Sequence, residues 1–263
     1  MQRPRGDFWF YYPSRQSYGH PSDFKLDYES VFFHNGIARL HGWFLNSAGR
    51  AKGTVLHCHG NAGNITGHFQ FVAWMPAYGW NVFCFDYQGY GRSEGRPTRP
   101  GTIADTNAAI DYLRSRPDVD RSRLVVFGQS LGAAVGLVAA SARDDLRGVA
   151  AEGAFSSYRS AVQFVCRRGL LLRGAAPFIS RVFSAPGLDP IDHVARIAPT
   201  PTFFICGTAD RICDHRQTIE LHRAAGPPKS LWLIEGGRHT EALVSTNGEG
   251  PRRLDRFLTE CVE

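Results

Sequence analysis

A chain of 263 residues, 43% hydrophobic and 21% charged, carries enough apolar surface for one sizeable core and excludes a disordered, collagenous or repetitive polypeptide. The net charge of +6 comes mostly from scattered arginines, which excludes a nucleic-acid tract and leaves either a solvated surface or weak peripheral attraction to anionic membranes. No apolar run reaches the roughly 18 residues of a membrane span, and the early FWFYY run is shorter than the roughly 7 residues of a minimal secretory core, so no signal peptide is expected.

In chain order, the aromatic run Phe8, Trp9, Phe10, Tyr11, Tyr12 reads either as a packed N-terminal arm or as a weak interfacial anchor. YESVFF (28–33) and ARLHGWFL (38–45), joined through HNGI, predict an antiparallel hairpin. Six short apolar runs follow: TVLHCHG (54–60), NVFCFDY (81–87), RLVVFGQ (123–129), GVAAEG (148–153), TFFICG (202–207) and SLWLIEG (230–236). Continuous apolar runs of this length suit strands buried on both faces of a parallel sheet. Helical stretches lie between them, over 102–115 and in LGAAVGLVAASA (131–142), so the alternation predicts an α/β fold with right-handed crossovers. Six cysteines form no CxxC pair and no metal-ligand spacing. Cys58, Cys84 and Cys206 sit inside apolar runs as small hydrophobes, which suits a reducing compartment and predicts a cytoplasmic location.

Residues 154–198 break the alternation and are too long for an ordinary connection. Amphipathic, arginine-bearing and interrupted by Gly169, Gly174, Pro177 and Pro186, they predict a cap inserted over the carboxyl edge of the sheet, within a single domain spanning 1–263. Phe164, Val165, Leu170, Leu171, Leu172, Phe178, Ile179, Val182 and Phe183 would either wall an acyl-chain channel or bury the cap on the core. Arg167, Arg168, Arg173 and Arg181 would then face an anionic head group or a bilayer surface.

Four motifs carry chemistry. Gly128-Gln129-Ser130-Leu131-Gly132 follows a strand and opens a helix, which is where a sharp turn lifts a serine hydroxyl above the sheet edge. His59-Gly60-Asn61-Ala62-Gly63-Asn64 follows an earlier strand and offers an oxyanion donor. The backbone N–H of Asn61 is the first choice and Ala62 the next, paired with the N–H of Leu131. His59 itself reads as a brace for that loop, and Asn64 as a cap for the next helix. Gly207-Thr208-Ala209-Asp210 ends a strand with an acid able to orient a histidine, with Asp214 and Glu152 as competitors. Gly236-Gly237-Arg238-His239 supplies a loop histidine downstream of both partners; of the ten histidines it alone ends a late strand, giving the order Ser, Asp, His.

Together with LHGWFL (40–45) and FDYQGYGRSEGRP (85–97), these motifs resemble the α/β-hydrolase superfamily, and within it the Bem46-like group that includes animal ABHD-type hydrolases, from about residue 26 to the end. The resemblance implies a mostly parallel sheet flanked by helices, a triad of Ser130, Asp210 and His239, an oxyanion hole at Asn61 and Leu131, and no metal or organic cofactor. It implies a serine esterase, thioesterase or lipid hydrolase acting on a small-molecule or acylated substrate. Two rivals stand beside that reading. A peptidase or amidase would keep the same triad, and a non-catalytic binding protein would break it. The segment 154–198 is longer and richer in arginine than the resemblance leads one to expect.

Overall fold

The computed structural model describes residues 7–169, 172, 174–184 and 187–263, with the side chains of Asp7 and Phe8 left aside. Eight strands form one sheet: β1 (Tyr28–His34), β2 (Arg39–Leu45), β3 (Gly53–Cys58), β4 (Trp80–Phe85), β5 (Leu124–Gln129), β6 (Gly148–Glu152), β7 (Thr202–Gly207) and β8 (Lys229–Ile234). Their spatial order is β1-β2-β4-β3-β5-β6-β7-β8. The hairpin β1–β2 pairs antiparallel, β2 lies antiparallel to β4, and every pairing from β4 through β8 is parallel.

The apolar runs give central strands because both of their faces are covered. Leu56, Val126, Ala151 and Phe204 point into one core, while their neighbours Val55, Val125, Phe127, Phe203 and Ile205 point into the other. The first face packs under α1 (Arg99–Ser115), α2 (Leu131–Ala140) and α5 (His215–Ala224), the second under α6 (Glu249–Val262) with the turns around Phe69 and Met75. Every residue of α2 is buried, as expected of a helix apolar on all sides. Each fully buried Leu or Phe in these layers contributes roughly 1.5–3 kcal/mol.

One strand departs from expectation. SLWLIEG reads as a fully buried run, yet β8 is the sheet edge and none of its residues is fully buried: Ser230 and Leu233 are exposed and the rest are half-buried. An edge strand has only one neighbour to cover it.

Between β6 and β7 lie α3 (Tyr158–Arg168) and α4 (Ala176–Arg181), followed by two short 3-10 turns. Ser157 caps α3 by accepting the Ser160 N–H at 3.1 Å, and Gly169 ends it. Pro177 sits in the first turn of α4, where its missing N–H costs nothing. Leu170, Leu171, Arg173 and Pro186 fall outside the described residues.

Candidate active site

The site is built on the turn between β5 and α2. Ser130 takes φ 55° and ψ −115°, a conformation that costs a residue with a side chain roughly 1–3 kcal/mol and persists only where neighbours impose it. They do so here. The Ser130 N–H donates to the Glu152 carbonyl at 2.8 Å, and the Ser130 carbonyl accepts from Ala134 N–H at 3.1 Å. A methyl at Gly128 would overlap the backbone of Gly132, and one at Gly132 would overlap the carbonyls of Cys58 and His59. Both glycines are therefore demanded by the close approach of β3, β5 and α2. Leu131, as the first residue of α2, has an N–H with no acceptor inside the helix, at the positive end of the helix dipole.

The loop after β3 is held from behind by two tyrosines of the FDYQGYG motif. Tyr87 OH donates to the His59 carbonyl at 3.2 Å, and Tyr90 OH donates to the Asn61 carbonyl at 2.8 Å. His59 is the brace expected of it: fully buried, its Nδ1 lies 2.7 Å from the Gly60 carbonyl, and burial drives its pKa well below the ordinary value. Asn64 accepts the Thr66 N–H at 2.9 Å and caps the short helical turn Ile65–His68.

Asp210 is buried, and its carboxylate lies 2.6 Å from His239 Nδ1. Its second oxygen accepts the N–H groups of Ile212 (2.7 Å) and Cys213 (2.9 Å). A carboxylate acceptor at Nδ1 places the proton there and leaves Nε2 with its lone pair. The two loops that carry this pair are laced together. The Gly237 carbonyl accepts Ala209 N–H at 2.9 Å, and a methyl at Gly207 would overlap that same carbonyl. The competing acids are occupied elsewhere. Asp214 caps α5 by accepting Arg216 N–H at 3.1 Å. Glu152, buried and with its pKa raised chiefly by that burial, accepts Gln129 Nε2–H and Ala242 N–H, each at 2.8 Å.

Ser130, Leu131, Asn61 and His239 open into one cavity of about 670 Å3, within the range of small-molecule sites, and Asp210 stands behind His239. Ala161, Val162, Val165, Cys166, Leu172, Ile179 and Phe183 of the segment 154–198 line it with Phe155. Three residues expected on that wall lie elsewhere. Phe164 sits beneath the Arg168 guanidinium (5.5 Å), Phe178 is 69% exposed beside Arg181, and Val182 is exposed. Helical phase explains this: α3 turns Val162, Val165 and Cys166 inward and takes Phe164 away. Sequence reasoning missed Tyr90 and Gln129 as supports, and Arg211, Ile212 and Cys213 as cavity residues. The first two lay inside quoted motifs, and the others follow Asp210 directly. The six cysteines are free, and none of the described helices is long and apolar enough to cross a membrane.

A mostly parallel sheet with a serine on its strand-to-helix elbow and an Asp–His pair on later loops defines the α/β-hydrolase class. Comparison with known proteins agrees. The Hydrolase_4 family profile, described as "Serine aminopeptidase, S33", matches residues 49–193. The YfhR protein of Escherichia coli K12 is 34% identical over 247 residues, covering 92% of this chain and 82% of that one. Protein bem46 of Schizosaccharomyces pombe is 28% identical over 222 residues, covering 82% and 72%. The crystal structure of the Pyrococcus furiosus esterase Pf2001 superposes with a TM-score of 0.79 at 22% identity, covering 97% of this chain and 98% of that one. The chain belongs to the Hydrolase_4 family of α/β hydrolases, in its Bem46-like group.

Proposed function

We propose that this chain is a serine esterase or thioesterase that cleaves apolar acyl groups through an acyl-enzyme on Ser130, with residues 154–198 as its cap. The observation that carries the reading is the 2.6 Å His239–Asp210 contact in a cavity shared with a serine held at positive φ. His239 Nε2 takes the Ser130 proton as Oγ attacks the carbonyl carbon, and Asp210 holds the resulting imidazolium. The N–H groups of Leu131 and Asn61 receive the oxyanion. The carbonyl re-forms, the alcohol or thiol leaves with the proton from His239, and water repeats the sequence to release the acid.

The family description favours a second reading, an aminopeptidase. Such an enzyme must hold a protonated α-amine, which calls for a carboxylate at the site. Among the described residues lining the cavity there is no Asp or Glu, and Arg211 is the charged side chain that faces it. The cavity chemistry therefore supports a neutral or anionic acyl substrate over a cationic peptide terminus.

The test is hydrolysis of p-nitrophenyl esters from acetate to palmitate beside aminoacyl p-nitroanilides. Wild type is expected to cleave the esters, and Ser130→Ala to lose at least about 10³-fold in kcat. Preferential cleavage of the anilides would replace the esterase reading with the peptidase one. Silence on both series, with no labelling of Ser130 by a fluorophosphonate, would overturn the hydrolase reading altogether.

A further inference from the structure

The stretch just before the sheet is tied to the site at both of its rims. Tyr12 and Pro13 form a short parallel ladder with Ala62 and Gly63, continued by Ser14 N–H to the Gly63 carbonyl at 3.0 Å. Asn64 Nδ2 donates to the carbonyls of Ser14 (2.9 Å) and Gln16 (2.8 Å), and Tyr18 N–H donates to Thr66 Oγ1 at 2.9 Å. On the opposite side, the Phe10 ring meets residues of the 154–198 segment edge-on: Tyr158 at 4.8 Å and Phe155 at 6.0 Å between centroids, with Phe183 tilted at 6.2 Å. The arm thus bridges the oxyanion loop and the cap, and Trp9, Phe10 and Tyr12 are themselves part of the cavity wall.

Asn61 is the knot. Its Nδ2 donates to the Phe10 carbonyl at 2.6 Å, and its Oδ1 accepts Tyr12 N–H at 3.4 Å and Tyr90 OH at 2.9 Å. The side chain is engaged by the arm and by Tyr90, which leaves the backbone N–H of Asn61 as the group this residue offers the cavity. The peptide that carries the Asn61 N–H has the Gly60 carbonyl, 2.7 Å from His59 Nδ1, while Tyr90 holds the next carbonyl along and the arm holds the side chain. Asn61 is thus fixed on both sides of its Cα, and its N–H has little freedom to swing. An oxyanion donor must keep its direction before the reaction begins.

Resting on the esterase reading, we infer that the N-terminal arm, Trp9–Ser14, is a working part of the acyl site. Phe10 sets the size of the acyl group by walling the cavity between loop and cap. Asn61 is a positioning residue whose side chain lets the arm hold the oxyanion peptide in register. The arm lies outside the stretch 49–193 that defines the family match, so acyl preference in this chain is set in part by residues the family pattern does not contain.

The experiment uses the full chain and two readouts. Fluorescence titration with dansylaminoundecanoic acid measures the cavity without any chemistry, and kcat and KM are measured on the p-nitrophenyl ester series. Phe10→Ala is expected to weaken the fatty-acid probe about tenfold and to move the preferred ester to a longer or bulkier acyl group. Phe10→Leu, which keeps most of the volume, should restore both. Asn61→Ala keeps its backbone N–H and should lower kcat about 10- to 100-fold with KM within about threefold, a split that a merely structural role would not produce. Phe178→Ala, on the exposed side of the cap, serves as the reference. If Phe10→Ala and Asn61→Ala match that reference in both readouts, or if wild type does not bind the probe, the inference is overturned. If wild type binds the probe but cleaves no ester, the esterase reading fails, and the probe affinities of the two Phe10 variants alone decide the role of the arm.

Discussion

The two halves of the cavity are built by different means. On the sheet side, backbone meets backbone: Gly132 against Cys58, Gly207 against Gly237, and Ser130 N–H on the Glu152 carbonyl, while two further backbone N–H groups, of Ile212 and Cys213, fix the Asp210 carboxylate. On the cap side, side chains meet side chains: the ring contacts of Phe10 with Phe155, Tyr158 and Phe183, and the aliphatic lining from Ala161 to Ile179. Backbone contacts admit no substitution without displacement, whereas a wall of side chains changes shape one residue at a time. Under the proposed function, reaction geometry sits where the fold over-determines it, and acyl selection sits where it can vary.

That contrast breaks down if the sheet side tolerates change. Within the proposed mechanism, Asp210→Asn preserves shape but lets Nδ1 of His239 meet a donor as readily as an acceptor, so the imidazole adopts the wrong tautomer. A loss of about 10⁴-fold in kcat is expected, with an unchanged urea midpoint. Steady-state kinetics and a denaturation curve on the same preparation check it, and a loss under tenfold would reassign the acid. Gly132→Ala comes next. Its methyl would overlap the Cys58 and His59 carbonyls, which belong to a buried strand end and cannot retreat. A destabilisation of about 3 kcal/mol, read from urea unfolding, is expected together with loss of activity.

The sheet side was also the part most legible in the sequence. Buried strands announce themselves as apolar runs, and GQSLG, GTAD and GGRH fall at the strand ends where the fold places Ser130, Asp210 and His239. What the sequence left open was settled by partners rather than by spacing. Glu152, Asp210 and Asp214 all sit near strand ends or helix starts, and only the hydrogen bonds separate a tie between loops, a histidine partner and a helix cap. The segment 154–198 was legible as a break in the strand–helix alternation but not in its facing, because no sequence pattern reveals how a helix is rotated over a cavity. Phe10 against Tyr158 spans the whole chain order from arm to cap, and no local periodicity encodes such a contact.

The rigid half also carries an electrostatic cost. Asp105 on α1 is buried, accepts Gln88 N–H at 2.8 Å and Gln88 Nε2–H at 2.9 Å, and is bonded by Asn35 from the hairpin turn. Desolvation nevertheless raises its pKa from 3.8 to about 6. A folded-state pKa above the unfolded one means stability that is present in full below pH 4 and is lost as the pH rises toward 6. Asp105→Asn lacks this titration. The advantage of wild type over the variant is expected to shrink by roughly 2–3 kcal/mol between pH 4 and pH 7, as read from paired urea midpoints. A constant difference across that interval would show that the hydrogen bonds offset the burial completely.

The smallest effect is expected on the outer face of the cap, and it sharpens the comparison most. Phe178 and Val182 are exposed and line no part of the cavity, although they lie on the same short stretch as Ile179 and Phe183, which do. Exchanging either for serine removes apolar surface that is already in water, so stability should move by less than about 0.5 kcal/mol. Ester preference should stay within about twofold. The same exchange at Ile179 removes a half-buried side chain from the wall and should shift the preferred acyl length. Neighbours one residue apart would then differ in whether they touch substrate, and that difference follows from helical phase alone. Equal effects at Phe178 and Ile179 would mean that the cap moves as a body over the serine during turnover, and the wall would have to be redrawn with both faces in contact with the acyl group.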